Sequence, residues 1–206
     1  MTIDEGYVKY HCVWNPAEPL EFSSIRGLNF WRNKLFQLGL IGKYENGIGF
    51  GNVSVRGEID RQFIISGTST GGIPELDESH YTTVIDYDWK RNRVTCEGPI
   101  QASSEALTHA AIYEANPHTN AVIHIHHRLL WERLMYRVPT TRENVAYGTP
   151  EMAEEIIRLC REEGLVDQQI LVMSGHEEGI IAFGSCLDRS GDLLLDYYGR
   201  LIQDLV

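Results

Sequence analysis

Ala102–His126 reads ASSEALTHAAIYEANPHTNAVIHIH. Its first half predicts a helix over Ser103–Asn116, stopped by Pro117, whose ring cannot continue an intrahelical ladder. Its second half predicts a strand over Asn120–His127. A strand alternates its faces, so His124 and His126 emerge on one side and His127 on the other. Two imidazoles on one face can converge on a single metal ion. An isolated His-x-His pair is more simply two histidines on a sheet edge. Here Glu105 opens the helix that leads into the strand, and His176 closes another apolar run, QILVMSGH. Three neutral imidazoles suit Zn2+ with a position open for substrate, and Co2+, Ni2+ or Mn2+ also accept nitrogen-rich sites. His11, His80, His109 and His118 are read as surface or locally hydrogen-bonded residues.

Outward from this stretch, the chain alternates short strands with helices. Up to about Leu20, with Pro16 and Pro19, it predicts an irregular N-terminal arm. Ser23 and Ser24 are candidate N-caps for a helix whose apolar face is Ile25, Leu28, Trp31, Leu35 and Leu38. IGFGNVSVR (Ile48–Arg56), QFIISG (Gln62–Gly67), Thr82–Asp88 and RVTCEG predict strands. Thr149-Pro150 predicts a helix start, with a capping hydroxyl and proline at the first helical position. QQILVMSG and GIIAFG predict two last strands before a C-terminal helix carrying Leu194, Tyr198, Leu201 and Leu205. Several connections are too short for a helical crossover, which favours a mixed or antiparallel sheet. Among 206 residues there is neither a repeat nor a linker, so residues 1–206 are read as a single domain.

The anion-binding candidates cluster in three places. Ser103-Ser104-Glu105 opens a helix, where exposed N–H groups attract anions. Thr68-Ser69-Thr70-Gly71-Gly72 is a flexible polar loop after a strand, and Gly49-Phe50-Gly51-Asn52 is similar. The formal net charge of −11 argues against nucleic-acid and anionic-membrane partners, which need a basic footprint. It leaves room for a small phosphorylated substrate held by local donors. No run of about 18 apolar residues predicts a membrane span. The first residues lack the pattern of a signal peptide. The four cysteines are scattered and read as reduced, and a cytoplasmic location is expected.

Taken in order, GNVSVR (Gly51–Arg56), STGGIPELDESH (Ser69–His80), ASSEALTHAAIYEANPHTNAVIHIH and YGTPEMAEEI (Tyr147–Ile156) resemble the class II aldolase/adducin family, its sugar-phosphate aldolases in particular. The resemblance implies an α/β fold, a three-layer α/β/α sandwich with a mainly antiparallel central sheet. It implies zinc held by His124, His126 and His176, and Glu105 as the catalytic acid/base. It places phosphate contacts on Asn52, Thr70, Gly71, Ser103 and Ser104. It further implies retro-aldol cleavage of a ketose or ketose phosphate through an enediolate, in a cyclic homotetramer. Dehydratases, epimerases and decarboxylases share the scaffold, as do non-catalytic adducin-like interaction modules. Those modules would be expected to lack metal ligands that this chain keeps.

The chain departs from the family pattern in two informative ways. The third histidine is commonly followed by glycine, whereas here the text is His176-Glu177-Glu178-Gly179. At least one of these carboxylates could face the pocket, although an outward hairpin tip is the simpler expectation. The stretch between His126 and Tyr147 is also short. That stretch often supplies a tyrosine acid, and Tyr136 and Tyr147 are the candidates here.

Overall fold

A computed structural model describes residues 7–205; the first six residues of the expected arm and Val206 lie outside them. The arm is less irregular than expected, because His11–Pro16 forms strand β1. It lies parallel to Arg93–Gly98, and the Trp14 indole donates to the Gly98 carbonyl at 2.9 Å. Such a partner is long-range, and Pro16 at the end of the strand and Pro19 after it hide any local periodicity. Helix α1 (Phe22–Gln37) begins at Phe22, one residue before Ser23, and Glu21 makes no side-chain cap bond. Ile25, Leu28, Trp31 and Leu35 form its buried face as the spacing predicts, whereas Leu38, expected on the same face, is the C-cap and is exposed.

Strands β2 (Gly42–Lys43) and β3 (Gly49–Phe50) pair with each other. Gly51, at φ +77°, breaks the expected Ile48–Arg56 strand into β3 and β4 (Asn52–Arg56). Strands β5 (Phe63–Ser66), β6 (Tyr81–Asp88) and β7 (Arg93–Gly98) follow. The second half runs α2 (Ala106–Ala115), β8 (Ala121–His126), α3 (Arg128–Leu134), α4 (Pro150–Glu162) and the short α5 (Leu165–Gln168). It ends with β9 (Ile170–Val172), β10 (Gly179–Gly184) and α6 (Leu187–Leu205). Thr149 caps α4 through the Met152 N–H, as its text predicts.

Eight strands form one mixed sheet in the order β1-β7-β6-β5-β4-β8-β10-β9. The β1–β7 pair is parallel and the pairs that follow are antiparallel. Buried side chains divide into two clusters. One gathers Leu107, Ala111, Met152 and Ile156 from α2 and α4 with Val122 and Ile181 of the sheet. The other gathers Ile25, Leu28, Leu194 and Leu201 from α1 and α6 with Ile123 and Ile180. Alternation along β8 therefore sends Val122 and His124 to the α2 side and Ile123 and Ile125 to the α1 side. That division positions the site, since His124 is opposite Asn52 of β4 and Ile181 of β10 in register.

Candidate active site

His124 and His126 stand at the end of β8, and His176 sits in the tight turn between β9 and β10. The three are buried, and one donor nitrogen from each lies within 4.8 Å of the others. His126 Nε2 is 3.0 Å from His124 Nε2 and 3.1 Å from His176 Nε2. Gly179 permits this approach, because a Cβ there would lie 2.6 Å from His176 Cδ2 and 3.3 Å from His124 Cε1. Burial pushes His124 down to about 4. Burial and the neighbouring imidazoles hold His126 and His176 well below the ordinary histidine value of 6.5. All three are therefore neutral near pH 7, as metal donors must be. A convergent, neutral, all-nitrogen set of this kind fits a divalent transition metal.

Glu105 immediately precedes α2. One carboxylate oxygen is 3.4 Å from His176 Nε2 and 4.0 Å from His124 Nε2. The residue is 2% exposed, and neither oxygen has a hydrogen-bond partner among the described residues. Burial raises its pKa to about 7, while Thr108 and the Lys9 charge pull it back. A carboxyl group titrating near neutrality can both take and return a proton.

The anion-binding candidates assemble around the same point. Asn52, Thr70, Gly71, Ser103 and Ser104, together with Glu105 and His124, line one cavity of about 20 Å³. That is room for about one water molecule. A wider cleft of about 370 Å³, lined by Lys43, Ile48 and Gly72 among others, shares Gly49 and Ser69 with it. Gly71 is required by packing: its Cβ would lie 2.6 Å from the Gly42 carbonyl and 2.7 Å from Phe50 N.

The remaining expectations separate clearly. Tyr147 is buried with its ring 4.4 Å from that of His176, and Lys9 lies 3.8 Å above it. Tyr136 is 77% exposed. Glu177 is exposed and pairs with Arg128, whereas Glu178 accepts a hydrogen bond from the Tyr44 hydroxyl at 3.0 Å. His109 is not at the surface: it is fully buried with Nδ1 2.7 Å from Ser54 Oγ. Three supporting residues escaped the sequence reading. Tyr10 donates to the Ala102 and Ser103 carbonyls at 3.1 and 2.8 Å. Arg32, 1% exposed, donates to the Thr70 and Gly71 carbonyls at 2.9 Å each. Tyr44 touches His126. Only Arg32 left a signal, as a charge within the apolar stripe Leu28-Trp31-Leu35.

Residues 44–131 match the family model of the class II aldolase and adducin N-terminal domain. The resemblance to the class II aldolase/adducin family holds. L-fuculose 1-phosphate aldolase has the same fold at a TM-score of 0.64 and 18% identity, covering 89% of this chain and 86% of its own. L-fuculose-1-phosphate aldolase from Thermus thermophilus is 22% identical at a TM-score of 0.54, covering 87% and 95%. YgbL from Escherichia coli, whose description leaves aldolase, epimerase and decarboxylase open, is 17% identical at 0.64, covering 89% and 90%. At these identities the likeness shows the class II aldolase fold alone. No curated protein matches the chain in sequence. Among the described residues, no helix is long and apolar enough to cross a membrane.

Proposed function

We propose that this protein is a divalent-metal-dependent lyase that cleaves a ketose or ketose phosphate by retro-aldol chemistry, with Zn2+ as its metal. The observation that carries this reading is a buried carboxylate, Glu105, with no hydrogen-bond partner among the described residues and 3.4 Å from a convergent histidine triad. His124, His126 and His176 would hold the ion. When bound, it supplies Lewis-acid stabilisation of the negative charge that develops on the substrate's carbonyl oxygen. Glu105 handles the proton at carbon. In cleavage the hydroxyl on the carbon that becomes the aldehyde gives up its proton to a base as the C–C bond breaks, and Glu105 then delivers a proton to the carbon of the three-carbon fragment. In condensation Glu105 removes that carbon's proton and the aldehyde oxygen takes one up. Its pKa near 7 suits both directions. Asn52, Thr70, Gly71, Ser103 and Ser104 bind the anionic end of the substrate through hydroxyls and backbone N–H groups, and this contact orients the carbon chain. With this reading go a three-layer fold with a mainly antiparallel sheet and a homotetramer, as the family resemblance implies, and a single domain in the cytoplasm, as expected from the sequence.

The test pairs metal analysis with product detection. Purified protein should carry about one divalent ion per chain, and a panel of free and phosphorylated ketoses should yield an aldehyde and a three-carbon ketone product. Replacing His124 and His126 together by Ala should remove both metal and turnover. Full metal content in that double variant, or no cleavage across the panel by the metal-loaded protein, overturns the reading.

A further inference from the structure

Behind His126, on the side away from the other two histidines, lies a second line of contacts that the proposed reaction does not use. Tyr44, between β2 and β3, places its hydroxyl 2.8 Å from His126 Nδ1. The same hydroxyl donates to Glu178 Oε2 at 3.0 Å. A phenol has one proton, and an ionised carboxylate only accepts. The phenol oxygen is therefore the acceptor for His126 Nδ1–H. A neutral imidazole carries one N–H, so His126 Nε2 keeps its lone pair toward the triad. His124 is oriented the same way by other means, since its Nδ1 lies 3.2 Å from the Ile180 carbonyl, which only accepts. Phe50 packs against both Tyr44 and His126, with ring centroids 4.6 and 5.4 Å away, and fixes their relative position.

The backbone at Glu178 is an independent observation. Its φ is +69°, a left-handed conformation that glycine adopts without steric cost and glutamate does not. The turn closes on the Gly179 N–H to His176 carbonyl bond at 2.9 Å. Of the acidic pair, Glu177 reaches Arg128 at the surface, so only Glu178 engages the buried side. A strained residue whose side chain completes a hydrogen-bonded line to a candidate ligand points to a role beyond making the turn.

We propose that Glu178 and Tyr44 are positioning residues that fix His126 in its Nδ1–H form and thereby set the affinity of the triad for a divalent ion. This rests on His124, His126 and His176 being the metal ligands. Partners in this position orient a ligating imidazole and raise its basicity, and their loss typically costs about 10- to 100-fold in metal affinity.

The experiment measures Zn2+ affinity of the full chain by competition with a chromophoric chelator, for wild type, Tyr44→Phe, Glu178→Gly and His126→Ala. The melting temperature of each metal-free protein is recorded alongside. Tyr44→Phe and Glu178→Gly should each weaken Zn2+ binding by about 10-fold or more. Glu178→Gly should do so while raising the melting temperature, because the left-handed strain is relieved. A purely structural role would move both quantities in the same direction. Long-range 1H–15N spectra of the metal-free protein should show the single His126 proton on Nδ1 in wild type and a mixture of the Nδ1–H and Nε2–H tautomers in Tyr44→Phe. Wild-type affinity in His126→Ala overturns the assignment of the ligands. Loss of the ion in His126→Ala, with affinity within about twofold of wild type in both other variants, overturns the positioning role alone.

Discussion

Glu105 concentrates the residue-scale chemistry. Its carboxyl is buried without a hydrogen-bond partner among the described residues, and burial raises its pKa from the ordinary 4.5 to about 7. Glu105→Gln should therefore keep the fold and most metal affinity while lowering turnover by about 100-fold or more, as loss of a general acid/base does. Near-native turnover would remove Glu105 from the mechanism. The same shift has a stability consequence in the metal-free protein. A raised carboxyl pKa means that the fold favours the protonated form. That contribution is complete below about 4.5 and is lost as pH rises through about 7. Relative to wild type, Glu105→Gln should thus gain roughly 3 kcal/mol between pH 4 and pH 8. Urea unfolding in the presence of a chelator measures it, and a pH-independent difference would show that the carboxyl ionises as easily as an exposed one. The triad and Glu105 were legible because strand alternation and a helix start are local rules. Tyr44 and Glu178 were not, since their contacts join segments 82 and 134 residues apart.

At the scale of elements, α1 does more than cover the sheet. Arg32 lies on its buried side and donates to the carbonyls of Thr70, Gly71 and Pro74 at 2.9, 2.9 and 3.0 Å. Those bonds fix the loop after β5, which carries two of the proposed anion contacts. Removing the guanidinium deprives the Gly71 and Pro74 carbonyls of their donor, while Thr70 keeps the Ile73 N–H at 3.1 Å; the cost is about 1–3 kcal/mol for each carbonyl that stays buried. Arg32→Met should destabilise the protein by several kcal/mol on that basis and weaken inhibition by inorganic phosphate. Arg32→Lys should recover part of the stability but not the phosphate effect, because an ammonium cannot reproduce the planar fork. Phosphate inhibition unchanged in both variants would disconnect α1 from the anion loop. The apolar stripe of α1 was readable from its spacing. The destination of its one charged member was not, because spacing locates a face but not the groups it meets. Strand β1 is the same case: its partner β7 lies about eighty residues away.

At the scale of the whole molecule, the described residues gather one buried cluster with α2 and α4 and another with α1 and α6, and the candidate site lies where β8, β10 and the loop after β5 meet on the α2 side. His109 joins that side together. Its Nδ1 is 2.7 Å from Ser54 Oγ of β4, and Ser54 Oγ is 2.7 Å from the Tyr113 hydroxyl of α2. A lone histidine inside a helical run gives no local sign of this, since the strand it meets is fixed only by the sheet order. Burial first, and then the neighbouring His124 imidazole, hold His109 well below the ordinary 6.5. The fold therefore favours its neutral form. The associated stability is complete above 6.5 and is lost as pH falls, because the unfolded chain takes up a proton that the folded chain resists. His124, His126 and His176 act in the same direction, and Glu105 acts against them between about 4.5 and 7. His127 is lowered as well by burial, and five histidines against the one raised carboxyl decide the sign, so the metal-free protein should lose stability as pH drops from 7 to 5. His109→Gln should cost about 1–3 kcal/mol at pH 7 through the disturbed Ser54 contact, yet lose less than wild type over the same pH interval. Unfolding free energies of both proteins at the two pH values, with metal removed, supply the comparison. Parallel losses would mean that His109 takes up its proton in the folded state as readily as in the unfolded chain, and that the link between α2 and β4 does not depend on its neutral form.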